Sequence, residues 1–268
     1  MTGMGPVPPR EAAPPLPLLA APRLEGTGCA RAAFTTRRGG VSAGPFASLN
    51  LSYGVGDAAG AVRENRRRLC LAWGASPGSA VEGAQVHGRR VAIVGRAEAG
   101  GVVPEADALV TDTPDVWLAV HAADCVPLLL VDPERPAVGA LHAGWRGAAA
   151  GIVRVLVDVM RARFAARPER VRAALGPAIG PCCYEVDVPV ARAMDGRPWW
   201  PEAATQTRPG RWRLDLRAAI IGELRASGVP AGSVEVVGGC TACEREQFFS
   251  YRRDGTTGRL AGCIRLRE

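Results

Sequence analysis

The sequence predicts an α+β fold, in which a mixed β-sheet flanked by helices forms a single domain. Short apolar runs rich in Val and Leu, bounded by Asp, Pro and Gly, are typical of buried strands. Helical patterns lie between these runs, but the elements do not follow a strict βαβ order. No internal repeat or linker divides the 268 residues, so one domain is predicted over residues 24–268. Residues 1–23 are apolar but interrupted by prolines, and we predict a flexible tail there.

The first elements after this tail are a strand, a long loop and a helix. Ala30–Thr36 has the pattern of a strand, and the Gly/Ser-rich segment from Thr36 to Asp57 is too long for a simple turn. An amphipathic helix is predicted over Asp57–Trp73 and ends at Gly74. A second strand follows at Val91–Val94. Long ordered loops are usually functional, so the segment before the helix is a candidate for ligand binding.

The run from Ala106 to Gly147 combines apolar strands with polar residues at their ends. Val116–His121, Val126–Val131 and Ala137–Leu141 are short apolar runs that predict strands buried on at least one face. Polar residues at the ends of buried strands belong more often to a site than to a core. In this run those residues are His121, Asp124, Cys125, His142, Trp145 and Arg146.

The C-terminal half is predicted to contain three helices and three strands. The helices are Trp145 to about Ala165, Val188–Met194 and Leu214–Ser227. The strands are Val171–Leu175, Ser233–Val237 and a last one that ends the chain. The polar, Pro-rich stretch from Asp195 to Gly210 is interpreted as an insertion.

Composition excludes several classes of function. The formal charge is +7 and every cation is an arginine, so chemistry that needs a Schiff-base or Walker-type lysine is excluded. The arginines are scattered among acidic residues, and we expect no nucleic-acid partner. No apolar run reaches the ~18–20 residues that span a bilayer, and the N-terminus lacks the features of a signal peptide. We therefore expect a cytoplasmic protein, without a membrane partner and monomeric.

Eight cysteines occur in the chain. Without a secretion signal, a disulfide framework is not expected. Cys240-x-x-Cys243 is one half of a zinc knuckle or a redox motif, but no second CxxC or HxxxH completes it. The sequence therefore favours a chance pairing at this motif.

His87, Cys125 and His142 are residue types that bind transition metals, and each is predicted at a turn or strand end. Three N/S ligands with an open fourth position are typical of catalytic zinc, whereas structural zinc uses four ligands. The ligands are 38 and 17 residues apart in sequence, so spacing alone does not settle the matter. A Cys125 nucleophile with His142 as its base, and three unrelated residues, are the competing interpretations.

Seven motifs occur in a fixed order, and together they carry a family resemblance. They are TTRRGGVSAGPFASLNL, QVHG, ADALVTD, ADCVPLLL, HAGWRG, LGPAIGPCCYEV and FFSYRRDGTTGR. In these motifs the chain resembles the laccase-domain (YfiH-like) family of purine nucleoside phosphorylases, formerly described as multicopper polyphenol oxidases. The resemblance covers roughly Phe34 to Ile264.

This resemblance implies a YfiH-like fold, related to the fold of cysteine-hydrolase toxins, and a cytosolic zinc enzyme. Such enzymes act on adenosine, inosine and S-methyl-5′-thioadenosine, and combine phosphorolysis with adenosine deamination. The family's zinc ligands correspond to His87, Cys125 and His142, and copper binding in vitro is compatible with them. The sequence departs from the family at Ala123, where Thr is common, and at the additional Cys243. His121 is given no ligand role and is interpreted as a supporting or core residue.

The resemblance also allows roles to be assigned to other motif residues. Zinc lowers the pKa of bound water toward neutrality, and that water could attack C6 of adenine with Asp124 as the proton shuttle. Guanidinium groups suit phosphate, and we favour Arg37 and Arg146 as anion contacts. The remaining candidates for substrate binding are Ser48 and Asn50 for ribose hydroxyls, Tyr251 or Phe249 for stacking on the base, and Arg252.

Three other functions remain open. A metal-free hydrolase or deamidase could use Cys125 and His142, and it predicts inhibition by alkylation but not by chelators. A copper polyphenol oxidase is compatible with the ligand types, but the chain has only three histidines, fewer than a multicopper site needs. A non-enzymatic binding module is the last alternative, and the open metal position counts against it.

Overall fold

A computed structural model describes residues 16–75 and 79–267 of the chain. The strands of the described residues form three sheets. In chain order the strands are β1 (Leu18–Ala20), β2 (Ala30–Thr35), β3 (Ala80–Gly83), β4 (Val91–Ile93), β5 (Val102–Val103), β6 (Ala108–Thr111), β7 (Trp117–Ala122), β8 (Val126–Asp132), β9 (Ala137–Ala143), β10 (Arg172–Leu175), β11 (Glu185–Asp187), β12 (Ala204–Arg208), β13 (Arg211–Leu214), β14 (Val234–Val236) and β15 (Leu260–Leu266).

The helices of the described residues are mostly short. They are α1 (Pro22–Glu25), α2 (Ala59–Trp73), α3 (Trp145–Ala150), α4 (Ile152–Phe164), α5 (Val188–Met194), α6 (Trp200–Ala203), α7 (Leu216–Ala226) and α8 (Tyr251–Asp254). None of these helices is long and apolar enough to cross a membrane.

Two six-stranded sheets form the centre of the fold. The first has the order β1-β2-β15-β7-β3-β5, and the second has the order β14-β10-β8-β9-β6-β4. Both are mixed: β3 is parallel to β7, and β10 is parallel to β14, whereas β8 and β9 are antiparallel. A small antiparallel sheet of β11, β13 and β12 lies beside them. The predicted α+β class and the mixed sheets are therefore confirmed.

The two large sheets pack face to face, and helices cover their outer faces. One apolar cluster joins inward-facing side chains of both sheets, including Leu118 and Ile264 from the first and Leu129 from the second. Trp73 of α2 packs on the outer face of the first sheet against Trp117, with ring centroids 6.0 Å apart. Helices α4 and α7 cover the outer face of the second sheet. The alternation of side chains along each strand produces this layering.

Local signals explain where the helices begin and end. Gly74, with φ of 66°, ends α2 in the left-handed conformation that glycine adopts without strain. The carboxylate of Asp215 accepts the amide N–H groups of Arg217 and Ala218, which caps α7. The single helix predicted from Trp145 to about Ala165 is wrong, because Gly151 with φ of 73° divides it into α3 and α4.

The part of the predicted tail that the structure describes is folded. Leu18–Ala20 forms β1 and pairs antiparallel with β2, although residues 1–23 are predicted to be a tail. Leu16 and Ala21 on either side are buried, which accounts for the ordering of this segment. Residues 1–15 of the predicted tail lie outside the described residues.

Candidate metal centre

Three segments of the chain bring His87, Cys125 and His142 together. Their ligand atoms all lie within 4.8 Å of one another. Cys125 Sγ is 3.9 Å from His87 Nε2, and the rings of His87 and His142 meet edge to face with centroids 4.9 Å apart. The pairing of β8 with β9 brings two of these positions together, because His142 lies opposite Pro127, and Cys125 is two residues before Pro127 on the same face of the sheet.

A buried carboxylate organises this trio. Asp107 is 1% exposed and lies just before β6. Its Oδ1 is 3.0 Å from His142 Nδ1 and also accepts the amide N–H of His87 at 3.0 Å. Its Oδ2 accepts the amide N–H groups of Val86 at 3.1 Å and Gly88 at 2.8 Å. A carboxylate on the outer nitrogen of a histidine orients the other nitrogen toward a metal, so Nε2 of His142 is the atom that could bind one. Asp107 lies in the ADALVTD motif, but no pattern in the sequence predicts this role for it.

Backbone conformation also aims the site residues. His87 has φ of 59° and Asp124 has φ of 92°, both in the region that favours glycine. The network around Asp107 holds the first of these turns. At Asp124, Oδ1 accepts the hydroxyl of Thr241 at 2.6 Å, and Oδ2 accepts the amide N–H of Arg252 at 2.6 Å. Both oxygens of the predicted proton shuttle are therefore bonded to the loops that surround the site.

Gly144 leaves the space that the trio needs. A Cβ at this position would lie 2.8 Å from Cys125 Sγ and 3.2 Å from Cδ2 of His87. Only glycine allows the backbone to approach the sulfur and the imidazole so closely. The nitrogen and sulfur donors, the oriented imidazole and this glycine all fit a transition-metal ion such as zinc.

The charges of the trio are strongly coupled. Burial alone would raise the pKa of Cys125, but the neighbouring His142 outweighs it and lowers that pKa to about 6. Burial would lower the pKa of His142, but the Cys125 thiolate and Asp107 raise it to about 9. Burial opposes ionisation of Asp107 as well, yet hydrogen bonds from His142 and the backbone lower its pKa. At neutral pH the sulfur is thus a thiolate, the form that binds metal or acts as a nucleophile.

The long loop after β2 does not present the predicted substrate contacts. Asn50 is fully buried, donates to Asp57, and accepts the amide N–H groups of Ser52 and Arg259. Ser48 donates its hydroxyl to the backbone of Arg37. These polar groups hold the loop itself, so a ribose-binding role is not supported for Asn50. These hydrogen bonds are expected, because buried polar groups in proteins are nearly always hydrogen-bonded.

Arg37 and Phe249 are likewise used within the fold. The Arg37 guanidinium donates to the carbonyls of Ala47 and Arg245 and lies 4.6 Å from the centre of the Phe249 ring. Phe249 is fully buried and has no free face for a purine. Tyr251, by contrast, is 61% exposed.

Two further arginines of the family motifs stack on aromatic rings. Arg146 is exposed and stacks on Trp145, and Arg252 lies 5.0 Å from the centre of the Tyr184 ring. Burial raises the pKa of Tyr184 to about 12, with the charge of Cys125 acting in the same direction and Arg252 opposing it. Tyr184 is therefore a neighbour of the site that the sequence analysis missed.

Arg259 is a second neighbour that the sequence analysis missed. Burial lowers its pKa, whereas the charges of Cys125 and Asp124 raise it. Its amide also bonds to Asn50, so it connects the long loop to the trio. Both missed residues lie inside the quoted motifs, Tyr184 directly after the adjacent cysteines and Arg259 at the end of FFSYRRDGTTGR.

His121 belongs to a different cavity. It lines a space of about 590 Å³ on the outer face of the first sheet, together with Trp117 and Ala119 of the same strand. His121 Nε2 lies 3.1 Å from Oε2 of Glu82, which also binds Arg66 at 2.7 Å. The alternation of side chains along β7 thus directs His121 away from the trio.

Comparisons with known proteins agree with this fold. The family model described as multi-copper polyphenol oxidoreductase laccase matches residues 31–267. A protein of Deinococcus radiodurans named purine nucleoside phosphorylase is 46% identical over 95% of this chain and 94% of its own length. Purine nucleoside phosphorylase YlmD of Geobacillus stearothermophilus is 44% identical over 88% of this chain and 90% of its own.

Solved structures are similar over almost the whole chain. The crystal structure of Bacillus licheniformis hypothetical protein YfiH superimposes with a TM-score of 0.90 at 36% identity, covering 94% of this chain and 97% of that one. The crystal structure of YlmD from Geobacillus stearothermophilus gives a TM-score of 0.87 at 43% identity, covering 92% and 94%. The chain therefore belongs to the laccase-domain family, which the matching model describes as multi-copper polyphenol oxidoreductase laccase.

Proposed function

We propose that this chain is a zinc-dependent purine nucleoside phosphorylase that acts on adenosine, inosine and S-methyl-5′-thioadenosine and also deaminates adenosine. The name shared by relatives that are 41–46% identical supports phosphorolysis. The observation that carries the proposal for zinc is the convergence of His87, Cys125 and His142 within 4.8 Å. Three protein ligands and an open fourth position are typical of catalytic zinc.

The residues of the trio have distinct tasks in this proposal. His87 and His142 provide imidazole nitrogens, and Cys125 provides a thiolate. Asp107 orients His142 and holds the turn that carries His87. Bound zinc would act as a Lewis acid and lower the pKa of a water molecule toward neutrality.

Phosphorolysis needs an anion site beside the sugar. An oxygen of phosphate forms a bond to C1′ of the ribose while the bond from C1′ to the purine nitrogen breaks, and the purine leaves with that electron pair. The sugar becomes cationic on the way, so positioning and charge stabilisation provide most of the catalysis. Arg146 and Arg252 provide guanidinium groups for the phosphate, since a planar fork suits its oxygens. Exposed Tyr251 offers a ring on which a purine can stack.

Deamination needs a proton path. Water adds to C6 of adenine, ammonia leaves, and a proton must move from the water to the departing nitrogen. Asp124 precedes Cys125, and each of its oxygens keeps a second lone pair beyond the bonds to Thr241 and Arg252. We assign the proton transfer to Asp124, with the Thr241 hydroxyl fixing its orientation.

Metal analysis combined with turnover tests this function. Purified protein is expected to contain zinc at the trio and to release hypoxanthine from inosine only when phosphate is present. In His87→Ala both the trio's zinc and turnover are expected to be lost. His121→Ala is the matched control, because His121 lies in a different cavity and is expected to leave both unchanged. Full phosphorolysis by metal-free protein would contradict the proposal.

A second function deserves a direct comparison because of the lowered pKa of Cys125. A thiolate beside an imidazolium is also the pair used by cysteine hydrolases, which need no metal. That function requires complete inhibition by alkylation of Cys125 and no effect of chelators. Loss of phosphate-dependent turnover on chelation, with recovery on adding zinc, distinguishes the phosphorylase from the hydrolase. A copper polyphenol oxidase is disfavoured because the chain has three histidines in total.

A further inference from the structure

Four cysteines converge at a second place in the fold. Cys182 and Cys183 lie in the loop between β10 and β11, and Cys240 and Cys243 lie between β14 and α8. Cys243 Sγ is 3.5 Å from Cys182 Sγ and 3.4 Å from Cys183 Sγ, and all four sulfur atoms lie within 4.8 Å of one another. The expectation that no second pair of ligands completes Cys240-x-x-Cys243 is therefore wrong. Its partner is a pair of adjacent cysteines, which a search for CxxC or HxxxH does not find.

We propose that Cys182, Cys183, Cys240 and Cys243 form a second metal centre, a closed four-thiolate site that binds one zinc ion. Tetrahedral sites with four sulfur ligands are typical of structural zinc. With Zn–S bonds of about 2.3 Å, the sulfur atoms of a tetrahedron are about 3.8 Å apart. The observed separations need shifts of only a few tenths of an ångström to about one ångström to reach that arrangement. The proposal for this site does not depend on metal binding by the trio or on the proposed phosphorylase activity.

The backbone around Cys240 is arranged for a thiolate ligand. The amide N–H of Gly180 donates to Cys240 Sγ at 3.1 Å, and the amide N–H of Cys243 donates to the Cys240 carbonyl at 3.2 Å. Hydrogen bonds from the backbone stabilise the charged form of sulfur and orient its lone pairs. The Gly180 amide belongs to the other loop, so its hydrogen bond to Cys240 fixes the two loops relative to each other.

Further contacts fix the two loops to each other. Cys240 pairs with Ala178 in a β-bridge, and the amide of Thr241 donates to the Ala178 carbonyl at 3.1 Å. The guanidinium of Arg217 donates to the carbonyls of Ala178 and Gly239, one in each loop. A rigid frame of this kind lowers the conformational cost of binding an ion.

Arginine side chains that bond to the two cysteine loops can offset the negative charge of a zinc–thiolate centre. Four thiolates on one zinc ion carry a net negative charge, which is costly near a low-dielectric interior unless cations lie close. Arg213 donates to the carbonyls of Pro181 and Cys182, and Arg253 donates to those of Thr241 and Ala242. Together with Arg217, these guanidinium groups border the four sulfur atoms.

Disulfide formation is the competing chemistry for four neighbouring thiols. All four are free cysteines, and the sulfur of Cys243 is almost equally distant from Cys182 and Cys183. If the four sulfur atoms formed two disulfides, each would have one partner at about 2.05 Å and two more distant neighbours. A single ion bound by all four would keep the sulfur–sulfur distances similar. The near-equal distances favour the ion.

Zinc bound by the four cysteines would stabilise the two loop segments that contact Asp124, the residue before Cys125. Thr241 lies between the two cysteines of the CxxC motif, and its hydroxyl donates to Asp124 at 2.6 Å. The amide of Ile179, just before the adjacent cysteines, donates to the Asp124 carbonyl at 2.9 Å. The four-cysteine site thus connects, through two hydrogen bonds, to the residue that precedes Cys125.

Metal counting in variants tests the proposal. Wild-type protein purified under reducing conditions with zinc is expected to hold two ions per chain by mass spectrometry of the metal. Cys240→Ser/Cys243→Ser is expected to hold one, and Cys29→Ser is the control that keeps two, since Cys29 lies outside the cluster. His87→Ala is expected to lose the other ion, which separates failure of this site from failure of the proposed function. An unchanged zinc content in the double variant would overturn the proposal.

A second measurement does not depend on the folding of the cysteine variant. X-ray absorption at the zinc edge of His87→Ala protein is expected to show four sulfur neighbours at about 2.3 Å. Zinc with mainly nitrogen or oxygen neighbours in that protein, or none at all, contradicts the four-thiolate site. A disulfide between the two loops, found by peptide mapping of protein purified without oxygen, contradicts it as well.

Discussion

Asp107 and His142 share a buried contact in which Oδ1 of the carboxylate lies 3.0 Å from Nδ1 of the imidazole. The same carboxylate accepts the amide N–H groups of Val86, His87 and Gly88. One side chain therefore orients one ligand of the trio and positions the turn that carries another. Loss of its charge should disturb the metal centre even though Asp107 itself is not a ligand.

Asp107→Asn is expected to weaken zinc binding at the trio by about 10–100-fold, the usual effect of removing the carboxylate behind a histidine ligand. The amide keeps the shape, but its NH₂ group cannot accept the hydrogen bonds that Asp107 accepts. Competition with a chromophoric chelator measures the affinity. Asp132→Asn is the matched control, because Asp132 is also fully buried and also accepts three backbone N–H groups, from Glu134, Arg135 and Arg167. Equal loss of zinc in both variants would show only general destabilisation.

Gly144→Ala is expected to reduce zinc affinity at the trio by about tenfold or more, because overpacking typically costs ~1–3 kcal/mol. The new Cβ would lie 2.8 Å from Cys125 Sγ and would displace the sulfur from its position. Isothermal titration with zinc measures the change. Gly60→Ala in helix α2 is the control, since no heavy atom lies within 4 Å of its new Cβ. If Gly144→Ala binds zinc with wild-type affinity, the close approach of the Gly144 backbone to the Cys125 sulfur is contradicted.

Sequence reasoning could single out His87, Cys125 and His142 because residue types that bind transition metals coincide there with predicted turns and strand ends. Each of the three lies next to an apolar run that predicts a strand: His87 before Val91–Val94, Cys125 before Val126–Val131 and His142 after Ala137–Leu141. Asp107 gives no such signal, since an aspartate before a strand is common in ordinary turns. Its partners lie 20 and 35 residues away, and only the folded chain shows that they share one carboxylate.

Three other differences between the predicted and the observed structure also arise from features that local sequence patterns do not show. Glycine inside a helical pattern is often tolerated, so the break at Gly151 could not be distinguished from a continuous helix. Asn50 was a candidate for ribose hydroxyls because it lies in a family motif, but the loop folds back and buries it. The four cysteines come from two loops whose contact depends on the parallel pairing of β10 with β14.

Arg146→Gln is expected to raise the KM for phosphate by about 10–100-fold, the equivalent of one charge-assisted hydrogen bond of ~1.5–3 kcal/mol. The side chain is exposed, stacks on Trp145 and lies on the helix that follows His142 and Gly144, so the exchange removes charge without opening a core cavity. Initial rates of inosine phosphorolysis at varied phosphate measure the effect. Arg154→Gln, on the exposed side of α4, is the control and should keep the wild-type KM. A KM unchanged in Arg146→Gln would remove this arginine from the anion site.

Glu82 gives a prediction for acid stability that does not involve the metal centre. Burial opposes its ionisation, but the charges and hydrogen bonds of His121 and Arg66 outweigh burial and lower its pKa from 4.5 to about 2. Because the folded-state pKa lies below the unfolded value, the ionised carboxylate stabilises the fold above pH 4.5. This contribution, roughly 3 kcal/mol, is lost as the pH falls from 4.5 toward 2.

Glu82→Gln is therefore expected to make the free energy of unfolding less dependent on pH across that window. Urea unfolding of both proteins at several pH values between 5 and about 2.5 measures the two slopes. Exposed Glu169 offers the control, since Glu169→Gln removes the same charge from the surface and should keep the wild-type slope. Parallel slopes for wild type and Glu82→Gln would contradict the lowered pKa. Zinc content and phosphorolysis should remain unchanged in Glu82→Gln at neutral pH, because this carboxylate lies in the cavity of His121 and outside the trio.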